Sequence, residues 1–96
     1  MRACMGSVAA RARVVVHGVV QGVGFRWACQ EAATSRDVRG WVRNRPDGTV
    51  EAVFEGEPTG VDAMVAWAGH GPRHARVTRV DVTREESEGL TGFRAG

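Results

Sequence analysis

The sequence predicts an α/β (α+β) sandwich, in which an antiparallel sheet carries two helices on one face in the order β-α-β-β-α-β. Three observations support this fold class. Segments of strand-like alternation are interrupted twice by helical periodicity, a Pro-Asp-Gly turn joins two of the alternating segments, and each helical segment connects two strands. The chain has 96 residues and a net charge of +2. This length is sufficient for one small domain with a single core.

The first strand and the first helix occupy the first third of the chain. Residues 11–17 read as a strand. From Gly24 the period changes to that of a helix, which we expect to run to about Arg36. The apolar face of this helix consists of Phe25, Ala28, Cys29, Ala32 and Ala33.

The middle of the chain predicts a hairpin. Residues 38–43 alternate at strand period, and residues 50–55 alternate again after the segment NRPDGT. Because Pro-Asp-Gly between two alternating runs is a strong turn signal, we expect these two strands to pair with each other.

The second helix and the last strands follow the hairpin. The helix is predicted to open at Thr59, where Asp62 three residues later resembles a capping box, and to end at the glycines and proline of residues 69–72. Its apolar face consists of Val61, Met64, Val65 and Ala68. A fourth strand is predicted over residues 76–83, and residues 90–94 can add a short fifth.

The loop HGVVQGVGFR, residues 17–26, holds three glycines and ends on an arginine. Glycines allow inward-turned N–H groups to form an anion nest, and the helix after Gly24 adds unpaired N–H donors with the positive end of its dipole. Arg26 in the first helical turn can point into the same concavity, where its guanidinium matches two phosphoryl oxygens. The alternative is a tight strand-to-helix turn with Arg26 on the surface, and the spacing alone does not decide between them.

Asn44 is the second candidate for chemistry. The first and second strands are joined through a helix, so they should run parallel, and the glycine loop and Asn44 should converge at one edge of the sheet. A carboxamide donates and accepts at once, which suits holding a water in line with a phosphorus atom. The alternative is ordinary turn chemistry before Pro-Asp-Gly, which the residue taken alone favours.

Missing residue types and spacings exclude several kinds of site. All 13 basic residues are arginines, which excludes a Walker-type phosphate lysine and a Schiff-base lysine. Gly22 and Gly24 could begin a dinucleotide-binding motif, but Trp27 stands where its third glycine should be. No cluster of His, Cys or carboxylates has metal-ligand spacing. We therefore expect no cofactor and no metal.

The first residues predict a tail rather than part of the fold. Residues 1–10 lack the apolar core of a signal peptide, and no stretch approaches the ~18 apolar residues of a membrane span. We expect a flexible N-terminal tail over residues 1–10, a domain over residues 11–96 and a cytoplasmic protein. Cys29 is expected to be a buried reduced thiol, and nothing in the sequence supports a disulfide with Cys4.

The other aromatic and charged residues are more readily explained by a structural role than by a role in catalysis or binding. The tryptophans are interpreted as partly buried packing residues: Trp27, Trp41 and Trp67. The acidic segment at residues 85–88 is interpreted as a solvated turn. His17 adjoins the glycine loop and could touch a substrate, although a histidine at a strand end is more often structural.

Three segments, HGVVQGVGFRW, GWVRNRPDGTVEAVFEGE and GPRHARV, resemble the acylphosphatase family in their order and spacing. The resemblance implies a ferredoxin-like sandwich that hydrolyses the carboxyl–phosphate anhydride of acyl phosphates to a carboxylate and inorganic phosphate, without metal or phosphoenzyme. It implies that Arg26 binds the phosphoryl group and that Asn44 orients the attacking water. The phosphoryl-binding loop implied by the resemblance comprises Gln21, Gly22, Val23, Gly24, Phe25 and Arg26.

The chain departs from the family pattern at the end of the first helix. Asp37 stands where the family usually has glycine, at a position expected to cap the helix in left-handed geometry. Aspartate tolerates that geometry less well than glycine, so the departure bears on stability more than on catalysis. The last residues, GLTGFRAG, match the family only loosely.

Two other functions remain open from the sequence. One is a non-catalytic module of the same fold that binds phosphate or acyl phosphate without hydrolysing it. The other is a small-sheet RNA binder, for which the expected aromatic pair is missing because the third strand offers only Phe54. We expect a small-molecule acyl phosphate as substrate, no nucleic-acid or membrane partner, and a monomer.

Overall fold

The structure, a computed structural model, describes residues 9–96, so most of the predicted tail and Cys4 lie outside the described residues. The elements are β1 (Ala10–Val19), α1 (Phe25–Ser35), β2 (Arg39–Asn44), β3 (Val50–Gly56), α2 (Pro58–Ala68), β4 (Arg76–Glu85) and β5 (Phe93–Ala95). The predicted β-α-β-β-α-β order is confirmed, with a short β5 added. Neither of these helices has the length and apolar character needed to cross a bilayer.

The five strands form one sheet in the order β4-β1-β3-β2-β5. The four strands of the predicted order pair antiparallel, as expected, whereas β5 pairs parallel with β2 and makes the sheet mixed. The antiparallel sheet predicted for the first four strands is therefore confirmed, and β5 adds a parallel pairing that the sequence did not predict. The chain crosses from β4 to the opposite edge along the end where β1 and β2 begin, so β5 runs toward the end where β1 and β2 stop.

Both helices pack on one face of the sheet and share a single core with it. Along β1 the buried positions alternate, and Val14 faces Ala52 of β3, which in turn faces Val42 of β2. Phe54 and Met64 are the largest fully buried apolar side chains of this core. The helical residues buried in it are Phe25, Cys29, Ala33, Val61, Met64 and Ala68. Ala32 and Val65 pack against this core, so the predicted apolar faces of α1 and α2 are confirmed except at Ala28, which does not belong to the core.

Cys29 lies inside this core, as expected. Its side chain is fully buried, and burial raises the pKa of the thiol to about 12. A thiol with so high a pKa carries almost no thiolate near neutral pH and is therefore a weak nucleophile.

The end of α1 adopts the left-handed geometry expected from the sequence. Asp37 has φ 57°, and among residues 9–96 it is the one non-glycine residue with positive φ. The N–H of Asp37 donates to Thr34 O, and the N–H of Val38 donates to Ala33 O, so the turn satisfies the last helical carbonyls. Asp37 is exposed, and the strain of its backbone is not offset by any side-chain hydrogen bond within residues 9–96.

Replacing Asp37 by glycine is expected to stabilise the protein by about 1 kcal/mol, because glycine removes the steric penalty of the left-handed conformation. For a domain of this size, the melting temperature should rise by about 4–8 °C in thermal unfolding followed by circular dichroism. Asp37→Ala keeps a Cβ and serves as the matched control, with no gain expected. A melting temperature lowered by Asp37→Gly would contradict the strain argument.

The predicted capping box at the start of α2 was wrong. The helix begins at Pro58, with Glu57 as N-cap and no side-chain capping bond. Proline presets the helical φ and lacks the N–H that a cap would have to satisfy, so it starts the helix one residue before Thr59. Asp62 instead forms an ion pair with Arg84 of β4, with 3.1 Å between Oδ1 and Nη1.

The sheet face opposite the helices, here called the open face, carries a network of ion pairs. Arg11 of β1 lies between Glu55 of β3 and Glu85 of β4, at 2.6 and 2.7 Å from their carboxylates. Arg13 pairs in the same way with Glu51 and Glu85. Glu85 was predicted to lie in a solvated turn, which was wrong because β4 extends far enough to place it beside both arginines.

Candidate active site

The glycine loop and Asn44 meet at the edge of the sheet where β1 and β2 end. Both strands pair antiparallel with β3, so they run parallel to each other and end on the same side, as the sequence predicted. A cavity of about 360 Å³ lies between them. Its walls are formed by Val20, Gly22, Gly24, Phe25, Arg26, Trp27, Asn44, Ala95 and Gly96.

Two glycines give the loop its open backbone. Gly22 and Gly24 have φ of 76° and 78°, in the left-handed region that favours glycine. A Cβ built at either position would meet no atom within 4 Å, so glycine is needed for its conformation and not for lack of space. The third glycine of the motif, Gly18, serves a different purpose. It lies at an irregularity in the β1–β4 pairing, where a Cβ would come within 2.0 Å of Arg76 O.

The start of α1 faces this cavity without a side-chain cap. Gly24 is the N-cap, so no side-chain oxygen accepts a hydrogen bond from the first helical N–H groups, and the first turn has no acidic residue. Unpaired N–H donors and the positive end of the helix dipole make such a terminus favourable for an anion.

Arg26 adds a full positive charge to the same wall. It lies in the first turn of α1 with an exposed side chain, and its Nη1 donates to Gly96 O. The backbone N–H of Gly96 donates to Val42 O at 2.8 Å, so the residue that holds Arg26 is itself tied to β2. No Asp or Glu side chain within residues 9–96 pairs with Arg26, whose guanidinium lines the cavity.

The Asn44 side chain does not maintain the turn that follows it. The β2–β3 turn is closed by hydrogen bonds from Arg45 N to Thr49 O and from Gly48 N to Arg45 O, and the Asp47 carboxylate accepts from Thr49. The Asn44 amide makes no hydrogen bond within the described part of the chain and lines the cavity. Ordinary turn chemistry therefore does not account for an asparagine at this position.

Two members of the predicted phosphoryl-binding loop do not line the cavity. Gln21 Nε2 donates to Arg45 O at 2.8 Å and to Thr49 O at 2.9 Å, which fixes the loop against the β2–β3 turn. Val23 packs against the core. The structure thus brings Gly22, Gly24, Phe25, Arg26 and Asn44 together, and gives Gln21 a positioning contact that sequence spacing did not reveal.

Ala95 and Gly96 are wall residues that the sequence analysis missed. They reach the cavity because β5 lies parallel to β2 and runs toward this end of the sheet. No motif in the last residues signalled this, since the family match there is loose.

The structure gives the contacts of His17 and the distribution of side chains that could bind a metal. His17 Nε2 lies 2.9 Å from Asp81 Oδ2 and 3.1 Å from Arg79 Nη2, and His17 does not line the cavity. Within residues 9–96, no three His, Cys, Asp or Glu side chains lie close enough together to hold a metal ion.

The three tryptophans differ in packing and in solvent exposure, although the sequence predicted the same role for all of them. Trp67 packs edge-on against Phe25, with ring centroids 5.3 Å apart, and Trp41 lies under the guanidinium groups of Arg13 and Arg43. These two are partly buried, as predicted. Trp27 is 65% exposed, so its assignment as a packing residue was wrong.

Comparison with known proteins identifies the family. The acylphosphatase family profile matches residues 12–95. The chain belongs to the acylphosphatase family. An acylphosphatase of Thermococcus kodakarensis is 58% identical over 84 residues, which cover 88% of this chain and 92% of that protein. This acylphosphatase is therefore a hydrolase.

Solved structures give the same result for the fold of this acylphosphatase. The acylphosphatase of Coxiella burnetii superposes with a TM-score of 0.89 at 32% identity, covering 94% of this chain and 95% of that one. The acylphosphatase of Bacillus subtilis superposes with a TM-score of 0.87 at 39% identity, covering 91% and 98%. The ferredoxin-like α+β sandwich predicted from the sequence is confirmed.

Proposed function

We propose that this acylphosphatase hydrolyses the carboxyl–phosphate anhydride of small acyl phosphates by in-line attack of water, without a metal or a phosphoenzyme. The residues proposed to carry the reaction are Arg26 and Asn44, together with the backbone of the loop from Gln21 to Arg26. One observation carries the proposal. An uncapped helix start, an arginine without an Asp or Glu partner and a carboxamide without a hydrogen bond, as judged over residues 9–96, line a single cavity.

The phosphoryl group would be held by the loop and Arg26. Transfer of a phosphoryl group passes through a loose transition state whose charge spreads over three equatorial oxygens. N–H groups of the loop around Gly22 and Gly24 and the guanidinium of Arg26 offer fixed donors to those oxygens. The Gln21 contact with the β2–β3 turn keeps these donors at a constant separation from Asn44.

Asn44 would orient the attacking water. Its amide can donate to one group and accept from another, so it can fix both the position and the orientation of a water molecule. Alignment of a nucleophile in this way is a large part of catalysis when the leaving group is already good, as a carboxylate is. The phosphoryl oxygens or the departing carboxylate can take the proton of the water, so the reaction needs no protein base.

The cellular setting of the enzyme stays a prediction from the sequence. We propose a monomer in the cytoplasm that acts on small molecules and binds neither nucleic acid nor membrane. A cavity of about 360 Å³ is compatible with a phosphoryl group and a small organic substituent, which supports the small-molecule part of this proposal.

Release of inorganic phosphate tests the reaction itself. Benzoyl phosphate, an acyl phosphate, should be hydrolysed rapidly, and phenyl phosphate, a stable monoester of similar size, should not. Addition of EDTA should leave the rate unchanged. Phosphate binding without turnover of benzoyl phosphate would instead favour a non-catalytic binding module.

Replacing Asn44 by alanine is expected to lower kcat for benzoyl phosphate by about 10²–10³-fold, because the water loses its fixed donor and acceptor. The inhibition constant of inorganic phosphate should stay within about threefold of the wild-type value, since the anion-binding groups are unchanged. Pro46→Ala, in the same turn and outside the cavity, is the matched control and should keep full activity. Retained turnover in Asn44→Ala would remove the water-orienting role.

A further inference from the structure

Trp27 is an unusually exposed apolar side chain in a position next to the candidate active site. It is 65% exposed, and it follows Arg26 in the first turn of α1. Side chains on a helix lean toward its N-terminus, so the indole of Trp27 lies over the start of α1 and forms part of the cavity wall. Packing in the core does not explain why a tryptophan occupies this position.

The same tryptophan is also a wall of a second and larger cavity. This open groove has a volume of about 820 Å³ and shares both Trp27 and α1 with the cavity at the end of β1 and β2. Its walls are Trp27, Ala28, Gln30, Glu31, Ala32, Thr34, Ser35, Trp67 and Pro72. From Trp27 to Thr34 the groove follows α1 for about 10 Å, at 1.5 Å per residue.

We propose that this groove binds the acyl group of the substrate, and that Trp27 determines a preference for aromatic or other bulky uncharged acyl groups over acetyl. The proposal rests on the function proposed above and specifies the substrate class of that same site. The acyl group is joined to the phosphoryl group through a single bridging oxygen, so it must lie next to the cavity that holds the phosphoryl group. A substituent that leaves this cavity over Trp27 enters the groove directly.

The chemistry of the groove walls supports an uncharged acyl group. The indole of Trp27, the indole of Trp67 and the ring of Pro72 offer apolar surface against which a phenyl group can pack. Glu31 is the one charged residue of the groove wall within the described part of the chain, and its carboxylate repels a second negative charge on the substrate. An acyl group that carries its own phosphate or carboxylate is therefore disfavoured there.

Steady-state kinetics with two substrates tests the role of Trp27. In Trp27→Ala, kcat/KM for benzoyl phosphate should fall by about tenfold, mainly through a higher KM, because the contact with the aromatic ring is lost. The value of kcat/KM for acetyl phosphate should stay within about twofold, and Trp27→Phe should restore most of the benzoyl phosphate activity. Val82→Ala, which truncates another exposed apolar side chain outside both cavities, is the matched control and should change neither substrate.

An equal loss for both substrates, or no loss for either, would overturn the proposal. A fall in kcat alone would also contradict it, since a binding contact for the acyl group acts on KM.

Binding of phosphonates separates this proposal from the proposed hydrolysis. Benzylphosphonate and methylphosphonate are not hydrolysed, and calorimetry with each measures affinity without turnover. Wild-type protein should bind benzylphosphonate about tenfold more tightly than methylphosphonate, and Trp27→Ala should remove the difference. Equal affinities of the wild type for the two phosphonates would contradict the assignment of the groove to the acyl group, even if hydrolysis is confirmed. Selective binding without hydrolysis would uphold the groove and contradict only the proposed reaction.

Discussion

Arg26→Ala is expected to lower kcat/KM for benzoyl phosphate by about 10³-fold or more. Among the described residues that line the cavity, Arg26 has the one charged side chain, and no Asp or Glu side chain of residues 9–96 pairs with it. Its loss removes the bidentate donor that we propose binds both the ground-state phosphate and the transition state, so KM should rise as kcat falls. Inhibition by inorganic phosphate should weaken in parallel, which distinguishes Arg26 from Asn44.

Two further variants control for charge and for helix stability. Arg26→Lys keeps the charge but not the planar fork, and it should recover only part of the lost activity. Arg36→Ala removes an exposed arginine just beyond the other end of α1, whose Nη1 donates to Ala32 O. This control should remain fully active. Wild-type phosphate inhibition in Arg26→Ala would show that the loop backbone alone binds the anion, and the role assigned to Arg26 would be wrong.

Glu55→Gln is expected to destabilise the fold by about 3 kcal/mol at neutral pH, because it removes the most deeply buried of the carboxylates that pair with the buried guanidinium of Arg11. Glu55 is fully buried and Arg11 is 4% exposed. The Glu55 carboxylate accepts from Arg11 Nη1 and also from the backbone N–H groups of Glu88, Gly89 and Leu90. Glutamine has the same shape but brings two N–H donors into a site built entirely of donors.

The acceptor role of Glu55 also links the open face to the active site. Residues 88–90 belong to the connection between β4 and β5, and β5 leads to Gly96, which accepts from Arg26.

Urea unfolding followed by tryptophan fluorescence measures the loss of stability in Glu55→Gln. The exposed Glu86, replaced by glutamine, is the matched control and should change stability by less than about 0.5 kcal/mol.

The free energy of unfolding of the wild type should depend on pH. Glu55→Gln should weaken this pH dependence. Burial raises the pKa of Glu55, but the hydrogen bonds from Arg11 and from the N–H groups of Glu88 and Leu90 outweigh it, and the pKa lies below the ordinary value of 4.5. A carboxyl whose pKa is lower in the folded state stabilises the fold fully above its unfolded pKa. This stabilisation is lost as the pH falls below 4.5 and through the folded pKa.

Hydrogen bonds from arginines likewise hold the pKa values of Glu51 and Glu85 below their usual range. For Glu51, burial acts in the opposite direction but is outweighed by Arg43 and Arg13. For Glu85, the donors are Arg13 and Arg11. The acid limb of the stability curve should therefore persist in Glu55→Gln with a smaller slope. Equal slopes in wild type and Glu55→Gln would contradict the assignment to Glu55.

The sequence predicted those parts of the candidate site that depend on residues close together in the chain. The left-handed glycines, the arginine in the first helical turn and the Pro-Asp-Gly turn each determine backbone geometry within a few residues. The meeting of the loop with Asn44 followed from one topological rule, that strands joined through a helix run parallel. The positioning contact of Gln21 and the wall formed by Gly96 depend on where distant segments lie, and no spacing in the sequence encodes that.

The sequence by itself determined the order of the elements, the apolar face of each helix and the residue types at the end of β1 and β2, because periodicity and turn chemistry act between near neighbours. Only the tertiary structure decided what the polar residues of the strands do. Arg11 is separated by 44 residues from Glu55 and by 74 from Glu85, and the three side chains meet because β1 lies between β3 and β4 in the sheet. Strand order and register bring them together, and these follow from packing of the whole chain.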